Sequence, residues 1–251
     1  MLAILSPAKT LDYSKPLPPL VETAPRFEGE STVLASAAAE LSAARLSEIM
    51  GISDNLATLN AERYANFASL PTRPAIFAFA GDVYVGFDAH SLDEAAIDFA
   101  QNHVRILSGL YGLLRPLDSI RPYRLEMGTK WAPGRGDLYG FWGSRISDLL
   151  ASDLAAEGSN VIVNLASREY WGAVESVPPA GARIVTIDFR DNGPNGLRFN
   201  SFAAKRARGM MARYISEHRL ADVEALKGFD NDGYAYDPDG SDATSWRFVR
   251  G

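Results

Sequence analysis

Two Arg-Pro steps stand out in the segment from Ser108 to Arg135, which carries five basic residues against two acidic ones. Arg115 and Arg121 each precede a proline, and Arg124 and Lys130 follow within the next ten positions. A residue before proline is pushed toward extended backbone, so each of these guanidinium groups would be carried on a stiff support. The spacing therefore predicts a rigid cationic surface that meets an anion.

A second basic segment has helical spacing from 201 to 219, with five basic residues and one acidic one. Projected at about 100° per residue, it places its apolar residues on one arc and its cations on the opposite side. Only small residues lie between the two arcs. This arrangement predicts a low-profile cationic face that a phosphate backbone could approach. The cations on this face that we assign to phosphate binding are Lys205, Arg206, Arg208 and Arg213.

A third candidate phosphate site is a tight turn between two predicted helices, at Gly51, Ile52 and Ser53. In a helix-hairpin-helix element, backbone N–H groups of the turn and of the second helix hold a phosphate. Gly51 and Ile52 fit that pattern, whereas Ser53 stands where the pattern has a second glycine. The alternative is a helical hairpin that only packs, with Ser53 as an ordinary N-cap.

Polar residues follow several predicted strands, and the carboxyl ends of parallel strands share one edge, where open α/β sheets bind ligands. A second interpretation of the sequence is therefore an enzyme with a pocket at this edge. Glu126 or Asp82 would be its acid or base, and Lys9 or Lys130 would stabilise an anion. The candidate catalytic residues are Lys9, Asp82, Ser108, Glu126 and Lys130, and further pocket residues are Tyr84, Tyr111, Asn164 and Ser167.

Other function classes receive little support from the sequence. The absence of cysteine excludes disulfides and thiolate chemistry, and the three histidines have no metal-ligand spacing, so we predict no metal site and no cofactor. A net charge of −6 disfavours nonspecific nucleic-acid binding by bulk electrostatics. Any anion site is therefore expected within the two local basic segments. Without an apolar run of membrane length or a signal sequence, we expect a cytoplasmic protein that does not contact membranes.

Alternating strands and helices predict the α/β class, with a single compact domain over 1–251. We expect a mixed central sheet flanked by helices, with a helix-hairpin-helix-like element and a C-terminal β-hairpin. The predicted strands are Leu2–Leu5, Ala75–Ala80, Val104–Ser108, Asn160–Leu165 and Arg183–Phe189, followed by a turn over 191–196. The predicted helices are Ser31–Met50 with Ser31 as N-cap, a second helix to Phe67, Asp93–Asn102, Asp137–Glu157 and Ser201–Arg219.

From end to end the sequence resembles the YaaA family of bacterial peroxide stress response proteins. The matching segments include LSPAKTLDY, FAGDVYVG, ILSGLYGLLRPLD, IRPYRLEMGTKW, DLYGFWG, NLASREYW, SFAAKRARGMMARYI and LKGFDNDGY. The resemblance implies a cytosolic protein that limits intracellular iron and DNA damage under hydrogen peroxide. It also implies DNA binding through a positively charged cleft and a helix-hairpin-helix element, which here corresponds to Gly51, Ile52 and Ser53.

The first hypothesis is therefore a stress protein that binds duplex or distorted DNA with little sequence specificity. Tyr111, Tyr123 and Trp131 would stack on unpaired bases. The second hypothesis is the enzyme described above, acting on a phosphorylated or nucleotide-like small molecule. A narrow pocket with the candidate side chains inside it would favour the enzyme, and an open groove of duplex width would favour DNA.

Overall fold

A mixed sheet of eight strands forms the centre of the computed structural model, which describes residues 1–194 and 196–251. Its order is β4-β3-β1-β6-β7-β10-β9, with β8 added to β7, and β1, β3, β6, β7 and β10 run parallel. The strands are β1 (Leu2–Leu5), β3 (Val104–Ser108), β4 (Gly112–Leu114), β6 (Val161–Asn164), β7 (Arg183–Gly193), β8 (Gly196–Arg198), β9 (Tyr234–Asp237) and β10 (Ser245–Arg250), and β2 (Arg73–Pro74) pairs separately with β5 (Ser119–Ile120).

Helices cover this sheet. They are α1 (Glu28–Ala39), α2 (Ala43–Met50), α3 (Asp54–Ala65), α4 (Ala75–Ala78), α5 (Asp82–Phe87), α6 (Glu94–His103), α7 (Leu138–Trp142), α8 (Arg145–Ala156), α9 (Arg168–Glu175) and α10 (Ser201–Glu217). The two central strands β1 and β3 are buried along their whole length, as expected of parallel strands covered on both faces. In β7, buried and less buried residues alternate, so only one of its faces belongs to the core.

The predicted fold class is confirmed. The C-terminal hairpin forms because β9 and β10 pair antiparallel, with Phe248 opposite Tyr236, across a turn at Pro238–Gly240. The two helices around Gly51 form as well. Gly51 ends α2 with a left-handed φ of 61°, a conformation that favours glycine. Of the turn predicted over 191–196, Asn195 lies outside the described residues.

The strand predicted over Ala75–Ala80 is wrong. Pro74 lies immediately before the four-residue helix α4, and Phe79 and Ala80 continue in extended backbone. The segment is buried on every side, because Ala75 to Phe79 all lie in the core. A short apolar run of this kind does not distinguish a buried strand from a buried helical turn.

Two predicted helices are interrupted. The helix predicted over Ser31–Met50 is two helices, α1 and α2, and the second begins at Ser42, whose side chain accepts a hydrogen bond from the Arg45 N–H. Ser31 is not an N-cap, since it lies inside α1 and donates its hydroxyl to the Phe27 carbonyl. The helix predicted over Asp137–Glu157 breaks at Gly143, which has a φ of 54° between α7 and α8.

Candidate functional site

A cavity of about 280 Å³ lies at the carboxyl ends of the neighbouring parallel strands β1 and β6. The loops after these two strands form its floor, the start of α5 forms one wall, and the first half of α10 forms another. Seven of its lining residues carry the chemistry and define what we call the Arg208 pocket: Ser6, Lys9, Asp82, Ser167, Glu169, Lys205 and Arg208. A cavity therefore lies at the edge where the sequence predicts a pocket, and ligand binding in it stays a prediction.

The floor of the Arg208 pocket is a closed hydrogen-bond network. The Ser6 hydroxyl accepts a hydrogen bond from the Ser167 N–H at 2.9 Å and donates one to the Ser167 hydroxyl at 3.3 Å. The Tyr84 hydroxyl donates to the Ser6 carbonyl at 3.0 Å. These bonds fix the loop after β1 against the start of α9. They position Ser6 and Ser167 as polar groups in the lining of the pocket.

Arg208 is a cation of this pocket whose positive charge is not balanced by a neighbouring carboxylate. Within the described residues it has no ion-pair partner, and its Nε atom has neither solvent contact nor a hydrogen-bond acceptor. Burial lowers the pKa of the Arg208 guanidinium, and the charge of Asp188 only partly opposes this effect. Lys205 lies one helical turn before Arg208 and is exposed. A half-buried guanidinium whose Nε atom lacks both solvent and an acceptor is costly, so this wall is complementary to an anion.

Next to the Arg208 pocket lies a carboxylate shared by two cations. The Glu126 Oε1 atom lies 3.1 Å from the Lys9 Nζ atom and 3.0 Å from a terminal guanidinium nitrogen of Arg124. The second oxygen of this buried carboxylate, Oε2, has no hydrogen-bond partner within the described residues. Lys9 lines the Arg208 pocket, whereas Glu126 and Arg124 line a small neighbouring cavity that Lys9 shares.

The remaining cations predicted to bind phosphate lie elsewhere or are already engaged. Arg115 pairs with buried Asp118 at 2.8 Å, and Arg213 pairs with Glu217 at 2.7 Å while donating to the Phe87 and Asp88 carbonyls. Arg121 lines a separate cavity of about 920 Å³ between α1 and α3. The expected cationic surface from Ser108 to Arg135 is therefore mostly internal structure.

The candidate pocket residues Ser108 and Tyr111, and Tyr123, which was expected to stack on bases, are buried. The Ser108 and Tyr123 hydroxyls lie 2.6 Å apart, and the Tyr111 hydroxyl accepts the Arg121 N–H at 2.9 Å. Burial raises the pKa of Tyr111 to about 12. Tyr111 and Tyr123 therefore hold the loop in place and offer no free ring face to a base, in contrast to the stacking role expected for them.

The other candidates are distributed as follows. Asp82 reaches the Arg208 pocket as the first residue of α5, although it follows no strand. Asn164 holds the strand-end loop by accepting the Ala166 N–H at 3.0 Å. Lys130 is exposed and lies 3.7 Å from Asp137, outside the lining of the pocket. Glu126 and Lys130 consequently do not form the pair that a helical spacing would give.

The cationic face of α10 differs from the expected one. Its small residues Gly209, Ala212 and Ser216 are buried, because α10 packs closely on α5. An added Cβ at Gly209 would lie 1.8 Å from the Val83 carbonyl oxygen, and one at Gly86 would lie 2.1 Å from the Arg206 carbonyl oxygen. Close helix packing, and not the approach of a phosphate backbone, accounts for these small side chains. Arg206 remains exposed.

At the turn between α2 and α3, the N–H groups of Gly51 and Ile52 both donate to the Ser47 carbonyl. Ser53 is the N-cap of α3, and its side chain makes no capping bond. Asp54 adds a carboxylate to the first turn of α3. Phosphate binding at Gly51, Ile52 and Ser53 stays a prediction, and only amides beyond Ile52 are available for it.

Sequence comparisons place the chain among known proteins. Residues 1–240 match the family described as peroxide stress protein YaaA. A UPF0246 protein of Rhizorhabdus wittichii is 68% identical over 251 residues, covering 100% of this chain and 99% of the relative. UPF0246 proteins of Hahella chejuensis and Paracidovorax citrulli are 49% and 52% identical, covering 100% and 96% of this chain and 99% and 95% of the relatives.

The described residues contain no cluster of histidine, aspartate or glutamate with metal-binding geometry. Across 1–194 and 196–251, no helix has the length and apolar character needed to span a membrane. On the match over residues 1–240 and the identity of its relatives, the chain belongs to the peroxide stress protein YaaA family.

Proposed function

We propose that this peroxide stress protein binds DNA, that the Arg208 pocket holds a backbone phosphate, and that covering DNA in this way limits iron-driven oxidative damage. The observation that carries the proposal is the buried Nε atom of Arg208, which has no hydrogen-bond acceptor within the described residues. A guanidinium whose Nε atom is buried without an acceptor is satisfied when an anion enters the pocket. Lys205 and Lys9 on the same lining add charge that attracts a polyanion.

The dimensions of the pocket limit the way DNA would bind. A cavity of about 280 Å³ holds one phosphate with its sugar, whereas a duplex would remain outside it. The duplex would then rest on the rim, with exposed Lys205 on one side and Lys9 on the other. This mode contacts phosphates without reading base edges, so little sequence specificity is expected.

Fluorescence anisotropy with a labelled duplex tests the proposal. Arg208→Met removes one charge-assisted contact, so the affinity should fall by about ten- to 100-fold. The slope of log K against log salt should become shallower by about 0.9, the value for one phosphate contact. Arg219→Met is the matched control. It removes the same charge from an exposed position two residues past the end of α10.

If both variants lower the affinity equally, the pocket is not the phosphate site and only overall charge matters. If Arg208→Met binds like the wild type, the proposal fails. An affinity loss confined to Arg208→Met, together with the shallower slope, supports it.

A second candidate function follows from Glu126, whose buried Oε2 atom has no hydrogen-bond partner within the described residues. A carboxylate held by Lys9 and Arg124 at a pocket mouth is suited to accept a proton from a small phosphorylated or nucleotide-like substrate. Incubating the protein with nucleotide mixtures and following products by mass spectrometry tests this enzyme hypothesis. Turnover by wild type that Glu126→Gln abolishes would support it, and no turnover would contradict it.

A further inference from the structure

The β7–β8 hairpin lies at the end of β7 that leads into α10. β6 pairs with β7 only as far as Asn164, which is opposite Thr186. From Thr186 to Asp191, β7 remains in the sheet by pairing with β10, and only Asp191–Gly193 pair with β8. The chain continues from β8 into α10, whose first half forms a wall of the Arg208 pocket.

Three large apolar side chains are exposed between β8 and the first turn of α10. Leu197, Phe199 and Phe202 have exposed fractions of 44%, 52% and 71%, and we call them the hairpin patch. Phe199 and Phe202 are the most exposed aromatic side chains among the described residues. Exposed large apolar side chains grouped this closely along the chain indicate an interaction surface.

Cations flank the aromatic rings of the hairpin patch. The Arg190 guanidinium lies 5.4 Å from the Phe199 ring centre, and the Lys205 Nζ atom lies 5.9 Å from the Phe202 ring centre. Lys205 also lines the Arg208 pocket. The hairpin patch and the pocket therefore form one continuous surface, aromatic at one end and cationic at the other.

We propose that the hairpin patch stacks unpaired nucleobases of a DNA strand whose phosphate occupies the Arg208 pocket, an inference that rests on the proposed function. Charge complementarity selects this occupant. Exposed Arg198, next to Phe199 in the chain, and exposed Lys205, beside the Phe202 ring, make no ion pairs within the described residues, which suits a polyanion. Every base has a π-face, so stacking on Phe202 would be tolerant of sequence.

The test uses two fluorescein-labelled probes of equal length, a dT15 single strand and a 15-base-pair duplex, titrated at the same salt concentration. Phe202→Ala should weaken binding of dT15 by about tenfold, the effect of losing one stacked base, and should change duplex binding by less than about twofold. Phe202→Trp keeps a ring and should restore dT15 binding, with quenching of the new indole fluorescence. Val177→Ala, at another exposed apolar position, is the control and should change neither affinity.

Equal binding of dT15 by wild type and Phe202→Ala would overturn the inference. An equal loss for dT15 and duplex would overturn it too, because the ring would then serve a general role. A concentration-dependent dimer that Phe202→Ala abolishes would assign the patch to a second copy of the chain. The proposed function itself fails if Arg208→Met leaves duplex binding unchanged or if Arg219→Met lowers it equally, so the two failures are distinguishable.

Discussion

The Nζ atom of Lys9, just beyond β1, lies 3.1 Å from the Oε1 atom of Glu126. This contact joins the first loop of the chain to the Arg-Pro segment, where Arg124 shares the same carboxylate oxygen. Glu126 thus neutralises cations on one rim of the Arg208 pocket, while Arg208 on the other side has no carboxylate in ion-pair contact within the described residues. The positive charge available to a ligand is therefore concentrated on the α10 side.

Neutralising this carboxylate should strengthen DNA binding. Glu126→Gln keeps the size of the side chain and leaves Lys9 and Arg124 without their shared charge, so both cations add to the attraction of phosphate. We expect a two- to fivefold gain in duplex affinity at low salt, about the effect of the exposed Lys9 ammonium losing its partner, since Glu126 itself is buried. A filter-binding titration at low and high salt measures it. A loss of affinity would show instead that Glu126 contacts the ligand directly.

Packing of α10 on α5 should be intolerant of a single methyl group. Gly209→Ala would place its Cβ against the Val83 backbone, so we expect a loss of about 3 kcal/mol or more in unfolding free energy. Gly29→Ala is the matched control on α1, where nothing lies within 4 Å of the added Cβ, and it should gain about 0.5–1 kcal/mol from helix propensity. Urea denaturation of both variants checks this. Equal stabilities would contradict the observed packing.

Asp153 should control stability in acid. It pairs with Arg105 and Arg26, both at 2.6 Å. Burial alone would raise the pKa of Asp153, but the hydrogen bonds from these arginines hold it below its ordinary value. A lowered carboxyl pKa contributes stability above the unfolded value of about 3.9, and this contribution is lost as pH falls through the folded pKa.

Replacing Asp153 by Asn should therefore cost about 3–5 kcal/mol at neutral pH, because the buried guanidinium of Arg105 loses its carboxylate. The decline of stability below about pH 4 should also become shallower. Urea titrations from pH 2.5 to 7 measure both effects. Glu48→Gln breaks the exposed pair with Arg45 and should change stability by less than about 1 kcal/mol. An unchanged acid slope in Asp153→Asn would refute this explanation.

Local sequence signals predicted much of the fold. The structure forms the expected element at each strong local signal. These signals are the apolar runs of β1 and β3, the tight turn at Gly51 and the turn residues before β10. The strand prediction for Ala75–Ala80 is wrong because a segment buried on all sides has no polar positions. Without them the sequence shows neither a strand period nor a helix period. The breaks at Ser42 and Gly143 were missed because alanine-rich and aromatic sequence continues on both sides of them.

The site was predictable only in part. Lys9 and Ser167 were found because they directly follow strands whose parallel order places their ends together. The sequence predicts phosphate binding by Arg208 on an open helix face, since sequence does not show that Gly209 packs against α5. The engagement of Arg213 by the Phe87 and Asp88 carbonyls depends on tertiary contacts between distant segments. The hairpin patch was missed because Phe199 and Phe202 in sequence look like core residues.

The central claim is that Arg208 is kept without an ion pair so that an anion can occupy its pocket, at a cost to the stability of the free protein. Thermal unfolding of Arg208→Met, with and without duplex DNA, tests this most directly. We predict that the free variant melts about 2–4 °C above wild type, corresponding to about 1 kcal/mol, and that DNA no longer raises its melting temperature. A free variant that melts below wild type, with the DNA-induced shift intact, would contradict the claim.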